Sequence, residues 1–361
     1  MQVGMATIFQ NPEDHITDGE VYRNELRLAN LAEPLGFDSV WGVEHHFTDY
    51  TMCPDVMQFL TYMAGRTQRV KLGSMVVVLP WHDPIRVAEE ISMLDHISDG
   101  RLILGMGRGA GRVEFEGFRI PMDESRERFV EAAQLVLNGL EKGYCEFDGK
   151  YYKQPRKDIR PRPERTFRGR TYAAAVSPES VDIMARLGIG ILIIPQKPWP
   201  MVDAELKAYR EVYRKVNNAA APAPIIAGWC FCDEDEKVAR EKAVRWIGGY
   251  WETARKHYEF GGEHFAKTKG YEFYASMSQA QRESANQMTQ MYLDLQVWGT
   301  PKMCIDRILN TCERMGSNAF TTVFSYAGMP YDEAERNLRL FAAKVLPVLQ
   351  KEQPAAVAAG G

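Results

Sequence analysis

At 361 residues, with 45% hydrophobic and 25% charged residues, the chain has the composition of an ordinary folded enzyme. That excludes a disordered or fibrous protein and leaves room for one large α/β core. A formal net charge of -4 gives no electrostatic reason to bind nucleic acid or an anionic membrane, and no stretch approaches membrane-spanning length.

Short β-branched runs alternate with longer amphipathic segments from one end to the other, which predicts repeated βα units and a parallel sheet. The first strand is expected at 3–9, with no signal segment ahead of it. A helix near 20–35, a strand at 39–44, a helix near 54–66 and a strand at 70–79 follow. Asp83-Pro84 opens a helix near 84–98, since Pro fits a first turn that needs no N–H. A strand at 102–107 and a helix near 123–141 lead into the first interruption, near 143–170. Residues 144–153, centred on Asp148-Gly149, read as a β-hairpin. Beyond it Arg160, Arg162, Arg165, Arg168 and Arg170 are broken by prolines and Glu164 and read as a solvated loop.

The second half continues with strands at 171–176, 190–195, 225–232 and 319–326. Helices are expected near 178–187, 201–216, 234–260, 302–315 and 330–346, with Ser177-Pro178, Thr300-Pro301 and Met329-Pro330 as start signals. A second interruption, near 246–298, is rich in aromatics and either walls a pocket or packs against a partner subunit. Eight strands fit a closed (β/α)₈ TIM barrel without remainder, spanning 1–350 as one domain with a flexible tail over 351–361. The six cysteines, at 53, 145, 230, 232, 304 and 312, form no C-x-x-C pair, which suits free thiols in a reducing cytoplasm.

In such a barrel the functional groups gather at the C-terminal ends of the strands. Strand 2 ends in Glu44-His45-His46-Phe47, placing two imidazoles and a carboxylate at the mouth. A histidine with a pKa near ~6.5 exchanges protons at physiological pH, although a core histidine bonded to backbone has the same sequence. A metal site is the rival. Adjacent histidines on a strand point to opposite faces, and neither H-E-x-x-H nor H-x-H occurs, so no metal is assigned. Strand 4 ends in Gly105-Met106-Gly107-Arg108-Gly109-Ala110-Gly111, where glycines admit a ligand close to the backbone and Arg108 offers a planar fork of donors for phosphate. It is not a clean G-x-G-x-x-G dinucleotide fingerprint. Strand 5 runs into Ser177-Pro178-Glu179-Ser180, a helix start able to hold an anion, though a plain serine cap has the same form.

Glu44-His45-His46-Phe47, preceded by Gly36-Phe37-Asp38-Ser39-Val40-Trp41, resembles the strand-2 signature of the bacterial-luciferase-like flavin-dependent monooxygenase family. Gly73-Ser74, Val77-Val78-Leu79-Pro80, Asp83-Pro84-Ile85-Arg86, Asp95-His96-Ile97-Ser98-Asp99-Gly100-Arg101, Gly299-Thr300-Pro301 and Gly328-Met329-Pro330 extend the resemblance over roughly 1–350. It implies a flavin at the barrel mouth, its phosphate on Arg108, Ser177 and Ser180, with a non-proline cis peptide at Met75-Val76 beneath the ring. His45 would be the acid/base residue, with Glu44 or His46 setting its tautomer. Reduced FMN, supplied by a separate flavin reductase, would react with O₂ to a C4a-(hydro)peroxyflavin that oxygenates a small apolar substrate: an aldehyde, ketone, alkane or terpene.

Two cofactor-site positions depart from the luciferase pattern. Gly107 stands in place of a reactive cysteine and Val176 in place of an acidic residue, so light emission is not implied. Trp81, Met106, Phe115, Trp229 and Trp298 are candidates for an apolar pocket. A cytoplasmic homodimer is expected by analogy. Relatives that use the deazaflavin F420 for hydride transfer, or that serve as non-catalytic flavin-binding subunits, are the alternatives.

Overall fold

A computed structural model describes residues 1–174, 178–260 and 262–352, and the side chains of all of these except 178 and 277–283. Eight parallel strands close a barrel: β1 (Gln2–Thr7), β2 (Ser39–Gly42), β3 (Lys71–Ser74), β4 (Leu102–Gly107), β5 (Thr171–Ala174), β6 (Gly190–Ile193), β7 (Ile225–Cys232) and β8 (Ala319–Val323). Each pairs with its neighbour in chain order, and β8 returns to β1 with Val3 opposite Phe320. β2, β4, β6 and β7 are buried along their whole length. Strands covered on both faces read as continuous apolar runs, which is how they were recognisable. Inside the barrel the Trp41 ring occupies space left by glycines: a Cβ on Gly73 would sit 2.2 Å from that ring, and one on Gly4 2.8 Å from its Nε1.

The helices between strands begin where local chemistry starts them. Thr17 and Glu20 form a reciprocal capping box ahead of helix Asp18–Ala29. Asp83 accepts from the Ile85 and Arg86 amides ahead of Pro84–Ile97, and Thr300 from Met303 ahead of Pro301–Met315. Pro330, expected as a first helical residue, instead caps Tyr331–Lys344. The expected Ser177 cap of helix Pro178–Leu187 lies outside the described residues, as do Val176 and the tail from 353 onward.

Several elements differ from the expected ones, among them a short strand, Val297–Gly299, that pairs parallel with β7. The strand at 70–79 is interrupted: β3 ends at Ser74, and Val77–Val78 forms a separate pairing with β4. Leu72 lies opposite Leu102 but Val77 opposite Met106, so one extra residue is taken up between them. There the Ser74 hydroxyl replaces the ladder, donating to Gly105 O (2.9 Å) and accepting from Gly105 N (2.8 Å). The hairpin is longer than a D-G turn allows, pairing Tyr144–Asp148 with Lys153–Asp158. Its tip is set by the Glu131 carboxylate, which accepts from the amides of Lys150, Tyr151 and Tyr152. Finally, a short helix, Arg112–Phe118, follows β4 where no element was expected.

Candidate active site

A cavity opens at the C-terminal mouth of the barrel, walled by residues of β1 and β4 to β8, from Ala6 to Val323, and by the segments just past β2 and β3. The segment after β7 closes over it. Helices Glu236–His257 and Glu272–Leu295 bring Tyr250, Trp251, Tyr258 and Tyr292 into the lining. Of the two roles open for this aromatic insertion, walling a pocket is one the structure shows. Trp81 and Trp229 also line the cavity. Met106, Phe115 and Trp298 pack elsewhere, the first two fully in the core and Trp298 beneath the Arg307 guanidinium.

His45, Glu44 and His46 stand together just past β2, but their side chains part company. His45 faces the cavity, 16% exposed. Its Nδ1 lies 2.9 Å from Glu114 Oε1 and its Nε2 3.2 Å from the Tyr258 hydroxyl. A carboxylate only accepts, so Nδ1 carries a proton, and Nε2 accepts from Tyr258 when the ring is neutral and donates to it when the ring is charged. The same Glu114 oxygen accepts from the His46 amide at 3.0 Å. The other oxygen lies 3.5 Å from His257 Nε2, and Thr48 Oγ1 sits 3.0 Å from His257 Nδ1.

Neither Glu44 nor His46 touches His45 through its side chain. Glu44 Oε1 accepts from His46 Nε2 (3.1 Å) and from His82 Nε2 (2.7 Å), and Oε2 from the Val78 amide (3.0 Å). Two buried carboxylates thus each serve two histidines. The one that orients His45 is Glu114, in place of the expected Glu44 or His46. Burial disfavours the Glu114 carboxylate, but the His45 charge and hydrogen bonds from His257 and His45 outweigh it and hold the group at about 2. Burial pushes His257 below the ordinary histidine value despite Glu114. Glu44 is likewise kept ionised against burial by His46 and His82, and His82 is raised by Glu44 in spite of its own burial.

His45, Glu114 and His257 present ligand atoms within 4.8 Å of one another, a spacing that a metal ion accepts. A carboxylate hydrogen-bonded to His45 and paired at 3.5 Å with His257 generates the same spacing, and that is how we read the cluster.

A cationic corner adjoins. Arg108 and Arg126 both line the cavity with Ser180, and their guanidiniums converge on Gly270 O at 2.7 and 3.0 Å, with Arg126 also 3.8 Å from the half-exposed Glu179 carboxylate. Arg108 also lies over the Tyr271 ring at 4.0 Å, and Tyr271 in turn donates to Gly109 O at 2.9 Å. Arg126 Nε is buried with no acceptor among the described residues. Arg108 and Ser180 are therefore brought to one cavity as expected, while Ser177 lies outside the described residues. Between the two corners run Met75 and Val76, joined by a cis peptide. Gly107 opposes them, where a Cβ would meet Val76 Cγ2 at 2.2 Å.

Glu114, His257, His82 and Arg126 were not singled out from the sequence, whereas Tyr258 belongs to the aromatic insertion that was. Of those four, only Glu114 carried a usable signal, three residues past the glycine run at the end of β4.

A family model described as luciferase-like monooxygenase matches residues 1–319. The alkanal monooxygenase alpha chain of Photorhabdus luminescens is 26% identical over 354 residues, covering 96% of each chain. Among solved structures, the monooxygenase RslO1 from Streptomyces bottropensis is similar with a TM-score of 0.75 at 28% identity, covering 96% of this chain and 99% of that one. The oxygenating constituent of 3,6-diketocamphane monooxygenase of Pseudomonas putida, in complex with FMN, gives a TM-score of 0.72 at 16% identity over 96% and 98% of the two chains.

Proposed function

The chain belongs to the luciferase-like monooxygenase family, and we propose that it is a reduced-FMN-dependent monooxygenase that transfers oxygen from O₂ to an organic substrate in the barrel-mouth cavity. The observation that carries this reading is a pairing. A cluster of anion-seeking donors, Arg108, Arg126 and Ser180, and a proton-handling histidine, His45, face one cavity. These residues fit flavin mononucleotide. Two guanidiniums that share a single carbonyl, one with an unpaired buried Nε, suit a phosphate dianion. Gly107, whose missing side chain makes room for Val76, and the Met75-Val76 segment form an apolar floor on which a flat ring can rest.

Reduced flavin, when bound, supplies the two electrons that activate O₂. The protein's own groups do the rest. Arg108, Arg126 and Ser180 anchor the phosphate and fix the ring's position along the mouth. His45 Nε2 gives or takes a proton at the cavity face, while Glu114 holds Nδ1–H and stabilises the imidazolium form. The aromatic roof excludes water from reactive species. The flavin is reduced by a separate reductase, and the working unit is a homodimer, both parts of this proposal.

Binding of reduced FMN and of reduced F420 to the purified chain tests it. Reduced FMN should bind, and its reoxidation by O₂ should follow different kinetics on the protein than free in solution. Arg108→Ala should weaken that binding roughly 10–100-fold, the worth of a charge-assisted hydrogen bond. Tight binding of reduced F420 with none of reduced FMN would remove the monooxygenase reading.

A further inference from the structure

We infer that the substrate is a flat aromatic molecule bearing an oxygen acceptor, such as an aryl ketone or phenol, and not a straight-chain aldehyde or alkane. This rests on the oxygenation reading for what happens to the molecule once bound. The wall formed by β7 and the two long helices of the insertion is a stack of near-parallel rings. Trp229 lies on Tyr250 with centroids 3.9 Å apart and 30° between planes, and Trp251 lies on Tyr292 at 4.7 Å and 24°. Tyr250 and Tyr292 join the two pairs at 6.2 Å and 26°. Such a surface favours another planar ring offset against it.

The same wall carries unspent hydrogen-bond donors. Trp229 Nε1, Trp251 Nε1 and the Tyr292 hydroxyl are buried and have no acceptor among the described residues, while all three residues line the cavity and are at most 4% exposed. The hydroxyls of Tyr50 and Tyr250, by contrast, share a hydrogen bond at 2.5 Å. A buried donor without an acceptor is costly, and a ligand oxygen that reaches these groups as the rings shift apart recovers that cost. A hydrocarbon chain recovers none of it, and sites built to hydrogen-bond reject ligands lacking the matching atom far more strongly than they reject a change of bulk. The flavin does not account for these donors. Its proposed anchors follow β4 and β5 and its ring segment follows β3, whereas the donors come from β7 and the insertion.

Equilibrium dialysis of the full chain against 2-acetylnaphthalene, 2-ethylnaphthalene and decanal, with and without saturating FMN, tests the inference. 2-Acetylnaphthalene should bind at least about ten-fold more tightly than 2-ethylnaphthalene, which has its shape without the acceptor. It should also outbind decanal, which has an acceptor without the ring. Tyr292→Phe, which deletes a single hydroxyl, should narrow the gap between the naphthalenes, and Trp229→Phe should do the same. Should Trp229→Phe fail to fold, Tyr292→Phe decides alone. Decanal binding tightest, no gap between the two naphthalenes, no effect of Tyr292→Phe on it, or displacement of 2-acetylnaphthalene by FMN would each overturn the assignment. Absence of reduced-FMN binding alongside the expected naphthalene ranking would instead count against the oxygenation reading alone.

Discussion

Left to burial alone, the carboxyl of Glu114 would hold its proton and be a poor partner for an imidazole. It does the opposite, resting at about 2, because His45 and His257 approach it from two sides. Glu114→Gln keeps the shape and removes the charge. We expect it to lower turnover by about 10²-fold or more, within the range of general acid–base contributions, while leaving reduced-FMN affinity unchanged. A parallel loss of flavin affinity in a titration would show that Glu114 shapes the cavity and does not act through His45. The folded-state value lies below the ordinary 4.5, so ionised Glu114 adds stability that is complete above 4.5 and is lost as pH falls toward 2. The stability gap between wild type and Glu114→Gln should therefore close over that window in acid denaturation. The sequence placed His45 correctly at the mouth because strand 2 is a clear apolar run ending in polar residues. It misassigned the partner because chain neighbours on an extended backbone point apart. Glu44 turns to His46 and His82, and the group that meets His45 comes from 69 residues further on.

Elements were legible where their period or punctuation was strong. β4 and β7 fall where apolar runs placed them, and Pro84, Pro178 and Pro301 open helices as expected. The failures are tertiary in origin: β3 stops at Ser74 because its hydroxyl takes over pairing with Gly105, and no local pattern announces that exchange. Gly105 carries the consequence. A Cβ there would lie 1.9 Å from the Ser74 carbonyl oxygen, backbone that cannot step aside, so Gly105→Ala should destabilise the fold by about 3 kcal/mol in denaturant titration. A neutral result would mean that β3 and β4 separate readily. Helix Asp18–Ala29 is tied to the segment just past β8 through a buried Glu25, to which Ser325 donates at 2.6 Å. Burial lifts this carboxyl from 4.5 to about 7, against the opposing hydrogen bonds of Ser325 and Tyr331. The folded state therefore holds a proton that the unfolded state releases between those values, and stability falls as pH rises from 4.5 to 7. Glu25→Gln should abolish that slope, gaining about 3 kcal/mol over wild type at pH 8 by the usual conversion and little at pH 4.5. Equal melting-point differences at both pH values would refute the assignment.

At the scale of the whole molecule, the barrel supplies a rigid mouth and the insertion after β7 supplies its roof. The aromatic content of 246–298 signalled such a part, but which strand ends it covers depends on contacts that sequence periodicity does not encode. The roof is held partly by apolar burial, with Phe265 and Tyr271 at most 1% exposed. It is also held by a clasp at the rim, where Arg112 meets both oxygens of Glu259 at 2.6 and 2.7 Å. Both partners are about 40% exposed (44% and 39%), so solvent screens the pair and its share of global stability should stay below about 1 kcal/mol. Its larger effect is local, because it ties the segment carrying His257 and Tyr258 to the helix carrying Glu114. Arg112→Ala should thus leave the unfolding midpoint nearly unchanged while speeding amide exchange over 262–275, a sub-global opening that hydrogen exchange resolves. Wild type in 1 M salt, where the screening length is about 3 Å, should shift part of the way toward the variant. Exchange over that segment identical in wild type and Arg112→Ala would mean that apolar packing alone keeps the roof closed, and that access to the cavity is governed by the ring stack and not by the rim.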